Sequence, residues 1–101
     1  MANTQVGKDL QQEARRLAIL QLLKADPDYS INDDLIQRLL AAQGHGVSIA
    51  VVRADCAWLE QLGLLSTNEL PGCTVAILRN DGVDVAMGVS VVPGIARPRP
   101  Q

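Results

Sequence analysis

His45, Cys56, Cys73 and the carboxylate runs Asp26/Asp28 and Asp33/Asp34 are the side chains whose type and spacing could carry catalysis or hold a metal ion. Metal sites gather thiolates, imidazoles and carboxylates at short spacings. The histidine and the two cysteines each stand alone in the chain, so no metal site is expected. Both cysteines lie among apolar neighbours and read as reduced, buried thiols of a cytoplasmic protein. Asp33 and Asp34 stand where a helix begins, and Asp26 and Asp28 flank Pro27. Carboxylates in such places serve helix ends and turns. There is no Ser/His/Asp arrangement and no glycine loop suited to phosphate; Gly7, Gly82 and Gly88 belong to no motif. The chain is therefore expected to be no enzyme and to use no cofactor.

The remaining chemistry is recognition. Gln43-Gly44-His45-Gly46-Val47-Ser48 joins two amphipathic segments through a glycine-broken turn, the core of a helix-turn-helix unit. In such a unit the N-terminal, outward residues of the second helix reach base edges. Here those are Ser48, Ile49, Ala50, Arg53, Ala54 and Ala57, of which Arg53 alone can make a bidentate contact to guanine. Gln43, His45 and Ser48 are within reach of phosphates in that arrangement, as is Arg79 from the following hairpin, and Arg97 and Arg99 could form a basic arm. Each has a plainer reading beside it. Ser48 caps a helix, Arg53 is solvated or paired with nearby Asp55, and the Pro/Arg tail is solvated. The small apolar set Ile49, Ala50, Ala54 and Ala57 suits a protein partner at least as well. A formal net charge of -2 argues against a protein that binds DNA mainly through its backbone.

These residues need elements to position them. The 101 residues fit one domain. With no Phe, one Tyr and one Trp, its core must come from Leu, Val, Ile and Ala. Residues 1–8 read as a flexible polar tail without a signal core, and no apolar run reaches the length of a membrane span, so a soluble, cytoplasmic protein without membrane contact is expected. A first helix is predicted from Asp9 to Ala25. Leu17, Leu20 and Leu23 make one stripe while Ile19 and Leu22 point elsewhere. A helix this widely apolar is either central to the domain or shared with a second subunit, giving a homodimer. Asp26-Pro27-Asp28 ends it. Ser30 or Asn32 caps the second helix, with Leu35/Leu39 and Ile36/Leu40 at i,i+4.

Ser48 caps the third helix, stapled by Val47 and Val52, with Val52, Cys56, Leu59 and Leu62 turned to the core and Gly63 terminating it. Leu65–Leu70 and Cys73–Leu78 read as a hairpin around Pro71-Gly72. Asn80–Gly88 fits either a second hairpin on Asn80-Asp81-Gly82 or a short helix capped by Asn80. Residues 95–101 read as a disordered Pro/Arg tail.

The run Trp58-Leu59-Glu60-Gln61-Leu62-Gly63-Leu64-Leu65 resembles the junction W-L-x-x-x-G-L, followed by Leu or Val, between recognition helix and wing in winged-helix regulators of the ArsR, MarR and PadR kind. Tyr29-Ser30-Ile31-Asn32, Gly44-His45-Gly46-Val47-Ser48, Val85-Ala86-Met87-Gly88 and Val92-Pro93-Gly94-Ile95-Ala96-Arg97-Pro98 together are similar to ArsR-like, winged-helix proteins of Mu-like phages and prophages. Order and spacing carry the likeness, over roughly residues 10–98. In that family a helix beginning L-T-x-x-G-x-x-V-A-x-G follows the wing. Here Leu78–Gly88 matches, with Asn80 one place after the usual threonine.

The resemblance implies an α+β, mainly helical fold over residues 9–94: a winged helix-turn-helix of three helices, a two-stranded wing and a short C-terminal helix. It further implies a phage or prophage transcriptional regulator binding double-stranded DNA through helix 48–62, with the hairpin 65–78 as wing. The alternative is a winged-helix module that binds a protein partner without specific DNA binding.

Overall fold

The computed structural model describes residues 2–100. They form α1 (Ala2–Ala25), β1 (Ser30–Asn32), α2 (Asp33–Ala42), α3 (Ile49–Gln61), β2 (Leu65–Leu70), β3 (Cys73–Leu78) and α4 (Asn80–Met87). The fold is α+β and mainly helical, with four helices and one antiparallel sheet of order β1-β3-β2. None of the described helices is long and apolar enough to cross a membrane.

α1 is the centre of the domain. It packs against α4, α2 and β3, and Ile19, Leu20 and Leu23 are fully buried on different sides of it. That covering accounts for the unusually wide apolar surface of its C-terminal half. The helix also begins at Ala2 rather than Asp9, which overturns the expected tail for all but Met1, a residue outside the described range. Once a helix is nucleated, extension costs one residue's freedom per added hydrogen bond. Residues 2–8 hold no proline to stop it, and Gly7 weakens it without ending it.

Between α1 and α2 lies a strand that sequence reasoning read as cap region. Asn32 is the cap, its Oδ1 accepting from the Leu35 amide at 2.8 Å. Ser30 instead pairs with Ile77 of β3. The turn before it makes this register: the Asp26 carboxylate accepts from the amides of Asp28 and Ser30, and Tyr29 takes a left-handed φ of 56°. The Tyr29 carbonyl then accepts from the Leu78 amide. The β2–β3 hairpin runs in register from Leu65↔Leu78 to Leu70↔Cys73 around Pro71-Gly72, as expected.

Residues 80–87 are helical, not a second hairpin. Arg79 occupies the cap position without a side-chain bond, and Asn80 is the first helical residue. Gly82 serves close packing rather than a turn: a Cβ there would fall 2.0 Å from the Leu64 carbonyl oxygen. α3 ends as expected, with Gly63 and Leu64 donating back to Glu60 and Leu59. Leu62, assigned to the core, is 44% exposed because the chain leaves the helix at that turn.

The C-terminal segment also departs from expectation. Ile95 is buried, the Ala96 amide donates to the Glu13 carbonyl, and Arg16 Nη1 donates to the Gly94 carbonyl. One apolar anchor and two hydrogen bonds lay residues 94–96 along α1, in place of a disordered tail starting at residue 95. Gln101 lies outside the described residues.

Candidate recognition face

The turn between α2 and α3 is held by its backbone. Gly44 takes a φ of 86°, the His45 amide donates to the Leu40 carbonyl at 2.8 Å, and Gln37 Nε2 donates to the Val47 carbonyl at 3.0 Å. Ser48 is the N-cap, its Oγ accepting from the Val51 amide at 3.3 Å. α3 therefore leaves the turn at a fixed angle. It buries Val52, Asp55, Cys56 and Leu59 and exposes Ala50, Arg53, Ala54 and Ala57, with Ile49 half-buried.

Arg53, the one cation on α3, is not free. Its Nε donates to Asp33 Oδ2 at 2.7 Å. Asp33 is 3% exposed. Burial pushes its carboxyl up, but the Arg53 hydrogen bond, the backbone of Thr74, the Arg53 charge and the backbone of Asp34 together hold it below the usual carboxylate value. The expected partner, Asp55, is two residues away on the same helix, and residues so spaced do not share a face. Asp55 turns inward, 2% exposed, and pairs with Arg15 Nε.

Arg15, Arg16, Asp55 and Trp58 form a buried cluster that sequence reasoning missed. Arg16 Nε lies 3.6 Å from Asp55 Oδ1, and its guanidinium stacks 3.7 Å from the Trp58 ring centroid. Gly94, at φ +92°, passes over the indole, where a Cβ would fall 2.9 Å from a ring carbon. The signal available in the sequence was Arg15-Arg16, two cations set immediately before the apolar run of α1. The cluster ties α1, α3 and the C-terminal segment together.

The candidate contact residues do not converge. Gln43, His45, Arg97 and Arg99 share a groove along α1 of about 700 Å³. Ile49 and Arg53 share a separate hollow with Asp33, Asp34 and Gln37 that reaches Gly72 and Cys73 at the hairpin turn. Ser48 and Ala50 are exposed at the start of α3, and Arg79 is exposed at the start of α4.

Between α3 and the sheet lies a cavity of about 190 Å³, with Ile36, Cys56 and Ala76 in its apolar lining and Asp33, Glu60 and Glu69 in its acidic part. Glu60 accepts from both the amide and the Oγ1 of Thr67 at 2.8 Å, pinning the hairpin to α3. The Cys56 thiol is pushed up to about 12, by burial first and then by Asp55, Asp33 and Glu60. A thiol so placed stays protonated and is a poor metal ligand. Among the described residues no three His, Cys, Asp or Glu side chains gather as a metal site. The α3 and hairpin face is thus acidic and small-apolar, with its arginine already engaged.

Comparison with known proteins gives two relatives. The chain is 41% identical over 93 residues to the uncharacterized protein gp26 of Escherichia phage Mu, a match covering 92% of this chain and 96% of that protein. It is 35% identical over 63 residues to an uncharacterized protein of Haemophilus influenzae, covering 62% of this chain and 61% of that one. No family model matches the chain, and no solved structure matches it. The near end-to-end likeness to gp26 makes this chain a member of the gp26 family of Mu-like phage proteins.

Proposed function

We propose that this Mu-like phage protein is a winged helix-turn-helix module that docks a protein partner through the outward face of α3 and the hairpin. In this reading α2 and α3 form the helix-turn-helix and β2–β3 the wing, in the ArsR-like manner. The observation that carries it is the Arg53–Asp33 pair. A helix that reads DNA offers cations to phosphates and guanines. Here the cation of α3 is held by a buried carboxylate, with Asp34, Glu60 and Glu69 nearby. Ala50, Ala54 and Ala57 leave a smooth strip that lets another protein approach closely.

The test is a titration of fluorescently labelled duplex at two salt concentrations. The expected result is weak binding that Arg53→Ala does not change. Binding that falls steeply with salt and is lost in Arg53→Ala overturns the proposal. A photo-crosslinker at Ala54, used in cells producing Mu-like phage, should capture a protein, and one at Lys24 should not.

The second reading is a DNA-binding transcriptional regulator of phage or prophage, with residues 48–62 in the major groove and the hairpin on the flanking backbone. What favours it is the exposed N-terminus of α3 at Ser48 and Ala50, with Arg79, Arg97 and Arg99 in no described ion pair. Steep salt dependence in the same titration would support it. Under both readings the protein is a cytoplasmic, non-enzymatic one that uses no cofactor.

A further inference from the structure

We infer that the chain forms a two-fold dimer in which the N-terminal half of α1 lies antiparallel in the α1 groove of a second copy. This does not rest on how α3 is used. Residues 5–11 of α1 are exposed, and the longest dimension of the molecule is 42 Å. Val6 is 53% exposed and Leu10 60%. The first turn carries no carboxylate to favour the helix, and Gly7 is a costly residue inside one. A helical extension of this composition is marginal in water without tertiary packing.

The molecule also carries the complement of that extension. On the same face of α1, Val6, Leu10, Ala14 and Leu17 follow at helical spacing. The groove begins at Leu10 and continues over Ala14 and Leu17 to Ala18, flanked by His45 on one side and Arg97 and Arg99 on the other, with Val6 one turn before its start. An antiparallel alignment places Val6 of one copy opposite Ala18 of the other, and Leu10 opposite Ala14. The same register sets Gly7 over the groove floor at Leu17, which is itself buried in the single chain, and a Cβ at Gly7 would meet nothing within 4 Å there. Gly7, without a side chain, then lets the second helix lie close to that floor.

Charge agrees with this register. A two-fold axis in the contact plane keeps the same flank of both helices on one side. The flank bearing Asp9 and Glu13 is the one that meets the C-terminal segment, since the Glu13 carbonyl accepts from Ala96. Asp9 of the second copy is therefore carried toward Arg97 and Arg99, the exposed cations of that segment.

Sedimentation of the full chain across a dilution series tests it. The wild type should reach twice the 10.8 kDa chain mass. Leu10→Glu should return it to a single chain that still unfolds cooperatively and loses no more helix than residues 2–11 hold, because Leu10 is solvent-exposed in the monomer and packs nowhere in its core. Asp9→Arg alone and Arg97→Glu with Arg99→Glu should each weaken dimerisation at least several-fold, and the three together should restore it. A wild type that stays monomeric overturns the inference. So does a dimer indifferent to Leu10→Glu, or one dissociated by Ala54→Glu instead. Failure of the triple variant to restore association overturns the antiparallel register.

Discussion

α3 forms ion pairs on both of its faces, two inside and one outside, and the two faces differ in almost everything but their chemistry. On the inner face Asp55 is enclosed with Arg15 and Arg16, all three side chains removed from water. On the outer face Arg53 is half-exposed while its partner Asp33 is buried. The inner set joins three distant parts of the chain and has no surface. The outer pair buries one charge and leaves the other at the surface, where it withdraws a cation from the outward face of α3. The same side-chain chemistry thus acts as architecture on one face and, in the proposed reading, as a limit on partner choice on the other.

Breaking the inner set should have the largest effect. Asp55→Ala leaves two buried guanidinium groups facing one another and should cost about 3–5 kcal/mol, read from urea denaturation. If the loss is under about 1 kcal/mol, the cluster is more hydrated than its burial indicates. Gly94→Ala tests the roof of the same cluster. A left-handed backbone combined with a Cβ against Trp58 should cost about 1–3 kcal/mol and lower the melting temperature. Asp33→Asn sharpens the contrast at the other face. It should cost about 1–2 kcal/mol in stability and, by releasing Arg53, strengthen low-salt binding to duplex DNA. Unchanged DNA binding would mean that the acidic surroundings, not the pair itself, set the limit.

The outer pair also predicts a pH dependence. The Asp33 carboxyl is held lower in the folded chain than in the unfolded one, so the unfolded state takes up its proton first as pH falls. Its contribution is complete above the ordinary value of 3.8 and is lost as the pH drops below that through the folded-state value. The difference in urea midpoint between wild type and Asp33→Asn should therefore be constant near neutrality and shrink below that pH. Smallest of all should be Arg38→Ala. Its pair with Asp34, at 3.1 Å, is well exposed, and its loss should change stability by about 0.3–0.5 kcal/mol, near the limit of measurement.

What could be read from sequence follows the range of the interactions. Ser48, Gly63 and the Pro71-Gly72 turn act on backbone groups a few residues away, and each does what its type indicates. β1 was not legible, because Ser30 is as good a cap as a strand residue until β3 is beside it. Gly82 looked like half of a turn because the sequence does not show that the Leu64 carbonyl will pass against it. Arg53 could be recognised as the one cation of its helix, but its partner lies twenty residues earlier on another element. The separation of Gln43, His45, Arg97 and Arg99 from Ile49 and Arg53 likewise depends on how the segments are arranged in space.

The strap formed by Gly94, Ile95 and Ala96 has a consequence for how the molecule comes into being. α1 is synthesised early, yet part of its cover comes from α4 and from Ile95, more than fifty positions later. A nascent chain halted before those residues emerge would have α2 and β3 in place but leave one side of the leucine-rich α1 uncovered. Closure must then be a late, cooperative event, and shortening the molecule by its final eight residues should leave a species prone to clumping rather than a smaller native domain.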